Sequence, residues 1–190
     1  MDGLILGLDL CDGYTQLSCW GRDENWTLPT AVCRQKDGRW LIGETAYATA
    51  LAGEGSVTDK LIRLVLQDGS DTIYGVKYRA VDLLKCFLEQ VFSLPLEEGK
   101  TVDGSMVKEL VITVPKMKAR LMDGLMYCAD QLKIPRSHVH VISHTEAFMY
   151  FVLSQTRDVW SNHVGLFDLS EKSLCYYVMK VQKNMGQVTA

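Results

Sequence analysis

The sequence has no excess of either charge, no paired-cysteine motif, no long apolar run and no tandem repeat. Its 20 Lys and Arg against 23 Asp and Glu leave a formal net charge of -3. That balance gives no general attraction to nucleic acid or to an anionic membrane, and no basic run supplies a local one, so neither partner is expected. The six cysteines, Cys11, Cys19, Cys33, Cys86, Cys128 and Cys175, contain no CxxC pair and mostly sit in apolar strand or helix patterns. They read as reduced core residues of a cytoplasmic protein rather than as a disulfide framework. The opening MDGLILGLDL has no basic residue ahead of its apolar stretch, which Asp9 and Asp12 interrupt, so neither a signal peptide nor a membrane span is expected. Neither a repeat of solenoid length nor a low-complexity tract is present. What remains is a chain of 190 residues with 47% hydrophobic content, enough for a substantial packed core.

Periodicity and turn residues order the elements. Residues 3–10 read as a buried strand, and Asp12-Gly13 turns the chain into an alternating partner over 14–20. WTLPTAVCRQ and RWLIG read as further strands of an antiparallel meander, separated by Lys36-Asp37-Gly38. Residues 44–66 favour two short helices interrupted by Gly53-Glu54-Gly55. TIYGVKY reads as a strand with a turn at Gly75, and Val81, Leu84, Leu88 and Val91 mark an amphipathic helix over 80–92. After the linker-like EEGKTVDGS, the chain alternates strand ELVITVP, a helix over 117–132, strand VHVIS, a helix over 145–154 and strand VGLFDL. A β-α-β-α-β run implies parallel strands covered by helices, and the class is α/β.

Several segments, in order, resemble the actin-like ATPase superfamily, above all the nucleotide-binding domain of DnaK-type heat-shock chaperones. GLDLCDGYT (7–15) resembles that family's first phosphate loop, GIDLGTTYS. TLPTAVCRQKDGRWLIGETAYATAL and IYGVKYRAVDLLKCFLEQVF resemble its next strand-turn-helix segments. VITVPKMKARLMDGLMYCADQLKI followed by VHVISHTEAFMYF resembles its VITVP helix and INEPTAAALAY segment, and VGLFDLSEKSLCYYVMKV stands where FDLGGGTFDVSIL belongs. The resemblance covers nearly the whole chain. It implies an actin-like, ribonuclease H-like ATPase lobe with a mixed sheet, flanking helices and an inserted peripheral subdomain. The implied division is first-lobe core at 1–29 and 105–162, inserted subdomain at 30–104, and the start of an incomplete second lobe at 163–190. Strands at 4–9, 110–114, 139–142 and 164–168 are then expected side by side.

The same resemblance implies ATP and magnesium as the family's cofactors and places residues around them. Asp9 and Asp168 match the acids that organise hydrated magnesium, Glu146 matches the glutamate near metal and attacking water, and Lys60 is a candidate for the catalytic lysine. Asp12, Gly13, Tyr14 and Thr15 fall in the first phosphate loop, and Ser170 and Lys172 in the second. The loops depart from the pattern. Cys11 replaces a glycine and Asp12 a threonine, while Ser170, Glu171 and Lys172 replace three glycines and Cys175 a later aspartate. Side chains then occupy positions where backbone must approach phosphate. Asp12 and Glu171 also add charge of the wrong sign. Two like charges about 8 Å apart repel by roughly 2 kcal/mol at an effective dielectric of about 20. Lys172, turned inward, would offset one of them.

Without the resemblance, the same residues have plainer readings. Asp9 ends a strand before a turn, Glu146 complements a helix dipole, Asp168 caps a turn and Lys60 is a solvated helix charge. His138, His140 and His144 raise a metal site, although alternating histidines on a half-exposed strand need no metal. The expectation is a non-catalytic, pseudo-ATPase interaction or regulatory module with protein partners. The alternative is an ATPase completed by a longer chain or a complex, and a further one an actin-like assembly protein. Only about twenty residues follow Asp168, so the sequence reads as a fragment, and the lone strand pair would expose edges open to self-association.

Overall fold

Leucines alternating along the first strand set the inner face of a sheet. In the computed structural model, which describes residues 3–155, 163–169, 174–181 and 188–189, Leu4–Leu10 forms β1 with Leu6, Leu8 and Leu10 fully buried. Strand β2 (Tyr14–Cys19) runs antiparallel to it and buries Thr15, Leu17 and Cys19 in the same alternation. Strand β3 (Asn25–Pro29) continues the meander.

Pro29 and Thr30 break what the sequence suggested was one strand. Pro29 lacks an N–H, and the chain beyond it, β4 (Ala31–Gln35), joins a different sheet with β5 (Trp40–Ile42) and β6 (Gly55–Asp59) in the order β5-β4-β6. The two short helices expected within 44–66 are present, and β6 between them is what the sequence did not suggest. Only Gly43–Leu51 (α1) and Leu61–Leu66 (α2) are helical, and the β-branched Val57 and Thr58 between them pair with Cys33 and Val32. Gly55 is required there, because a Cβ would stand 2.3 Å from Cys33 Sγ.

Next comes the hairpin of β7 (Ser70–Ile73) and β8 (Val76–Arg79), with Tyr74 and Gly75 both at positive φ, 50° and 78°. That pair of conformations suits the right-handed twist of a two-residue turn. Helix α3 (Ala80–Val91) follows, then β9 (Val107–Val114), α4 (Ala119–Gln131) and β10 (Val139–Ser143), close to their sequence-expected bounds.

Strand β9 lies parallel to β1, pairing Leu8 with Ile112 and Asp9 with Thr113, and the sheet order is β10-β9-β1-β2-β3. The fold is thus α/β with a mixed sheet. Helices α2, α3 and α4 pack on one another. Their Leu61, Val65, Leu84, Phe87, Leu121 and Leu125 join Leu6, Leu8, Leu17, Leu110 and Ile112 in a single hydrophobic core. Residues 30–104 therefore supply part of the central core as well as the small sheets.

Residues fall into two compact units, 1–141 and 142–190. In the second, α5 (His144–Ser154) starts at Ser143, whose side chain accepts the Glu146 N–H at 3.2 Å. Strands β11 (His163–Leu169) and β12 (Leu174–Val181) form an antiparallel hairpin, with β13 (Val188–Thr189) beside β12. The strand at 164–168 was expected beside the other three. It belongs instead to this separate three-stranded sheet, because its pairing partner is the next strand in sequence, reached by a short connection. Among the described residues no helix is long and apolar enough to cross a membrane.

Candidate functional site

The parallel ladder places a threonine against the acid that sequence reasoning singled out. Asp9, half-buried near the end of β1, is the register partner of Thr113 on β9, and the Thr113 hydroxyl donates to Asp9 Oδ1 at 2.8 Å. Beyond Asp9, the turn into β2 is tied to itself. The Cys11 N–H donates to Tyr14 O at 3.3 Å, and the Thr30 N–H donates to Gly13 O at 3.0 Å.

Thr30 is the centre of this knot. Its hydroxyl donates to Cys11 O at 2.7 Å and lies 2.7 Å from the Thr15 hydroxyl. A threonine has one hydroxyl hydrogen, and Cys11 O takes that of Thr30, so Thr15 is the donor in the second bond. Thr15 is fully buried. Its hydrogen is spent on the Thr30 hydroxyl inside the protein.

Asp12 makes the next link. Its Oδ1 accepts the Arg63 N–H at 3.0 Å, and its Oδ2 lies 3.8 Å from Arg63 Nε. Arg63 is the third residue of α2, and its N–H is one of those an α-helix leaves without an internal partner. The residue before α2, Lys60, is left-handed at φ 53° and gives no side-chain cap. Asp12 thus caps α2 from a hairpin far away in sequence, a contact of the kind that contributes about 1 kcal/mol. The partly exposed ion pair adds little to that. The expectation that Asp12 only opposes an incoming phosphate gives way to a carboxylate compensated by Arg63 and the helix end.

The remaining expected residues are placed as follows. Lys60 is exposed, and Tyr14 is 57% exposed. In the second unit, half-buried Glu146 has its N–H capped by Ser143 and its Oε1 3.4 Å from the Tyr150 hydroxyl. Asp168 lies on β11 opposite Cys175. Ser170, Glu171 and Lys172 lie outside the described residues. Of the three histidines, His138 Nδ1 is 3.1 Å from Val107 O and His140 Nε2 is 2.9 Å from Glu109 Oε2, so both bind the neighbouring strand.

A second polar constellation joins α3 to α4. Arg79 donates from Nε and Nη2 to both oxygens of Asp82 at 2.8 and 2.9 Å, and the Tyr127 hydroxyl donates to Asp82 Oδ1 at 2.8 Å. The Arg79 guanidinium lies over the Tyr127 ring at 5.2 Å. Hydrogen bonds from Arg79, and then from Tyr127, hold the Asp82 carboxyl below its usual range against the opposing effect of partial burial. Burial, with neighbouring carboxylate charge second, pushes the Cys128 thiol up to about 12. A thiol that resists ionisation is no nucleophile.

Comparison with known families matches residues 13–190 to a family described as a family of unknown function (DUF5716), C-terminal. The chain belongs to that DUF5716 C-terminal family. No curated protein matches it significantly. In this family member the functional question therefore rests on the site itself. Sequence reasoning found Asp9, Asp12 and Thr15 but missed Thr30, Arg63 and Thr113. The Asp9 and Thr113 pairing follows only once the β1 and β9 register is known. Nothing in the sequence marks Arg63 as the partner of a residue 51 positions away.

Proposed function

We propose that this DUF5716 family member is a non-catalytic, pseudo-ATPase module of actin-like, chaperone-type ancestry that works by binding protein partners in the cytoplasm. Support for the ancestry comes from the order of the sheet. An antiparallel β1-β2-β3 meander is followed, after a long insertion, by β9 parallel to β1. The observation that carries the loss of catalysis is the closed state of the β1 to β2 turn. The Thr15 hydroxyl is buried against Thr30, the Cys11 N–H and Gly13 carbonyl are paired within the chain, and Asp12 caps α2.

A phosphate cradle needs the opposite: backbone and hydroxyl donors pointing outward with no carboxylate among them. The residues of this loop do not fit magnesium-ATP. Loss of a single preorganised donor costs about a hundredfold or more in rate. Several are committed here.

The second reading, an ATPase completed by a longer chain or a complex, draws on Asp9, which the resemblance matches to a magnesium-organising acid. Calorimetry with magnesium-ATP on this chain and on a longer chain or complex that contains it, paired with phosphate release, separates the two. A flat isotherm and phosphate release at the blank rate are expected. Tight binding abolished by Asp9→Ala and by Asp168→Ala would establish the ATPase instead.

A further inference from the structure

A row of three residues crosses the face of the main sheet that is turned away from the leucine core. Gly7 on β1 lies between its register partners, Val111 on β9 and Ser18 on β2. A strand glycine leaves its place in the row unfilled and marks where another group can approach closely. The Ser18 hydroxyl leans over this gap and donates to Gly7 O at 3.3 Å. With Ile5 beside it, the gap opens into a cavity of about 680 Å³ lined within the first unit, a size that accepts a small molecule.

A tight turn builds one end of the cavity. The Arg22 N–H donates to Cys19 O at 3.1 Å, and Gly21 stands at φ 80°, a left-handed conformation that glycine takes without strain. The turn leaves Trp20 82% exposed and puts Arg22 and Asp23 on the cavity wall. Among the described residues neither charged side chain has an ion pair or a hydrogen bond. An indole, a guanidinium and a carboxylate therefore line one cavity, and the two charges have no partner inside the protein.

We propose that this cavity binds a free amino acid with an aromatic side chain. Its ring stacks on Trp20 over the Gly7 gap, its carboxylate accepts from Arg22, and its ammonium donates to Asp23. The charges decide the class. An α-amino acid carries its two charges on one carbon, and the turn carries Arg22 and Asp23 side by side. A phosphate or a simple carboxylate would be opposed by Asp23, and an amine alone would be opposed by Arg22. The site lies at the end of β2 away from the closed β1 to β2 turn and is independent of nucleotide. Because both charges are exposed and the cavity is open, a dissociation constant on the order of 1 mM is expected.

Residue-resolved proton–nitrogen NMR of the whole chain, titrated with L-phenylalanine to about 10 mM, tests this. Saturable shifts are expected at the Trp20 indole N–H and at the Gly7 and Gly21 amides. Trp20→Ala, Arg22→Gln and Asp23→Asn, all at exposed positions, should each weaken binding by about threefold or more. N-acetyl-L-phenylalanine, which lacks the ammonium, should bind more weakly than L-phenylalanine and lose nothing further in Asp23→Asn. No saturable shift, or binding unchanged by both Arg22→Gln and Asp23→Asn, overturns the proposal. Equal affinity for L-phenylalanine and its N-acetyl form would overturn it too, because Asp23 would then recognise nothing.

Discussion

Thr30 holds three parts of the first unit in register, because its N–H reaches Gly13, its hydroxyl reaches Cys11, and Thr15 donates to it. A buried hydroxyl network of this kind is costly to break in half, since each orphaned group keeps its desolvation penalty. Thr30→Val, nearly the same shape, should therefore destabilise the protein by about 1 to 3 kcal/mol in urea denaturation. Adding Thr15→Val should cost less than its effect alone, because its acceptor is already gone. Additive losses would mean that the two hydroxyls do not act together. At this scale, legibility in the sequence was uneven. Asp9 and Asp12 stood out as acids beside a turn, whereas Thr30 looked like one polar residue inside a strand. Its meaning depends on the break after Pro29, which separates β3 from β4 and turns the Thr30 side chain toward the hairpin loop.

Among elements, the junction of α3 with α4 carries a pH-dependent contact. Asp82 has its native pKa lowered by the hydrogen bonds from Arg79 and Tyr127. A lowered native pKa stabilises the fold above the unfolded carboxylate value of about 3.9, and that contribution is lost as pH falls through the lowered native value. The urea midpoint of the protein should thus fall on acidification through this window more than that of Asp82→Asn, whose midpoint starts lower at neutral pH. Equal slopes for both proteins would show that Asp82 contributes no pH-dependent stability. The helices themselves were legible because their apolar spacing was regular. Strand β6 was not. Its five residues, GSVTD, lie between two helical stretches and have no alternation long enough to outweigh them. The pairing of β6 with β4 is a tertiary fact, supported by the close approach of Gly55 to Cys33.

For the whole molecule, the α/β class and the succession of β9, α4, β10 and α5 followed from periodicity, but the grouping of strands into sheets did not. The segment at 164–168 has the continuous apolar character of a buried parallel strand, yet it pairs antiparallel with β12 and leaves Phe167 exposed. Local sequence records that a strand forms and is silent on which sheet receives it. A different long-range link closes the first site, where the β1 to β2 turn pairs its Cys11 N–H, its Gly13 carbonyl and the Thr15 hydroxyl within the chain and caps α2 through Asp12. Residue-resolved amide hydrogen exchange, with and without magnesium-ATP, reads this directly for the N–H groups of Cys11, Thr30 and Arg63. Slow exchange is expected at all three in the protein alone, unchanged by nucleotide. Fast exchange that becomes slow when magnesium-ATP is added would contradict it, because those donors would then be waiting for a phosphate.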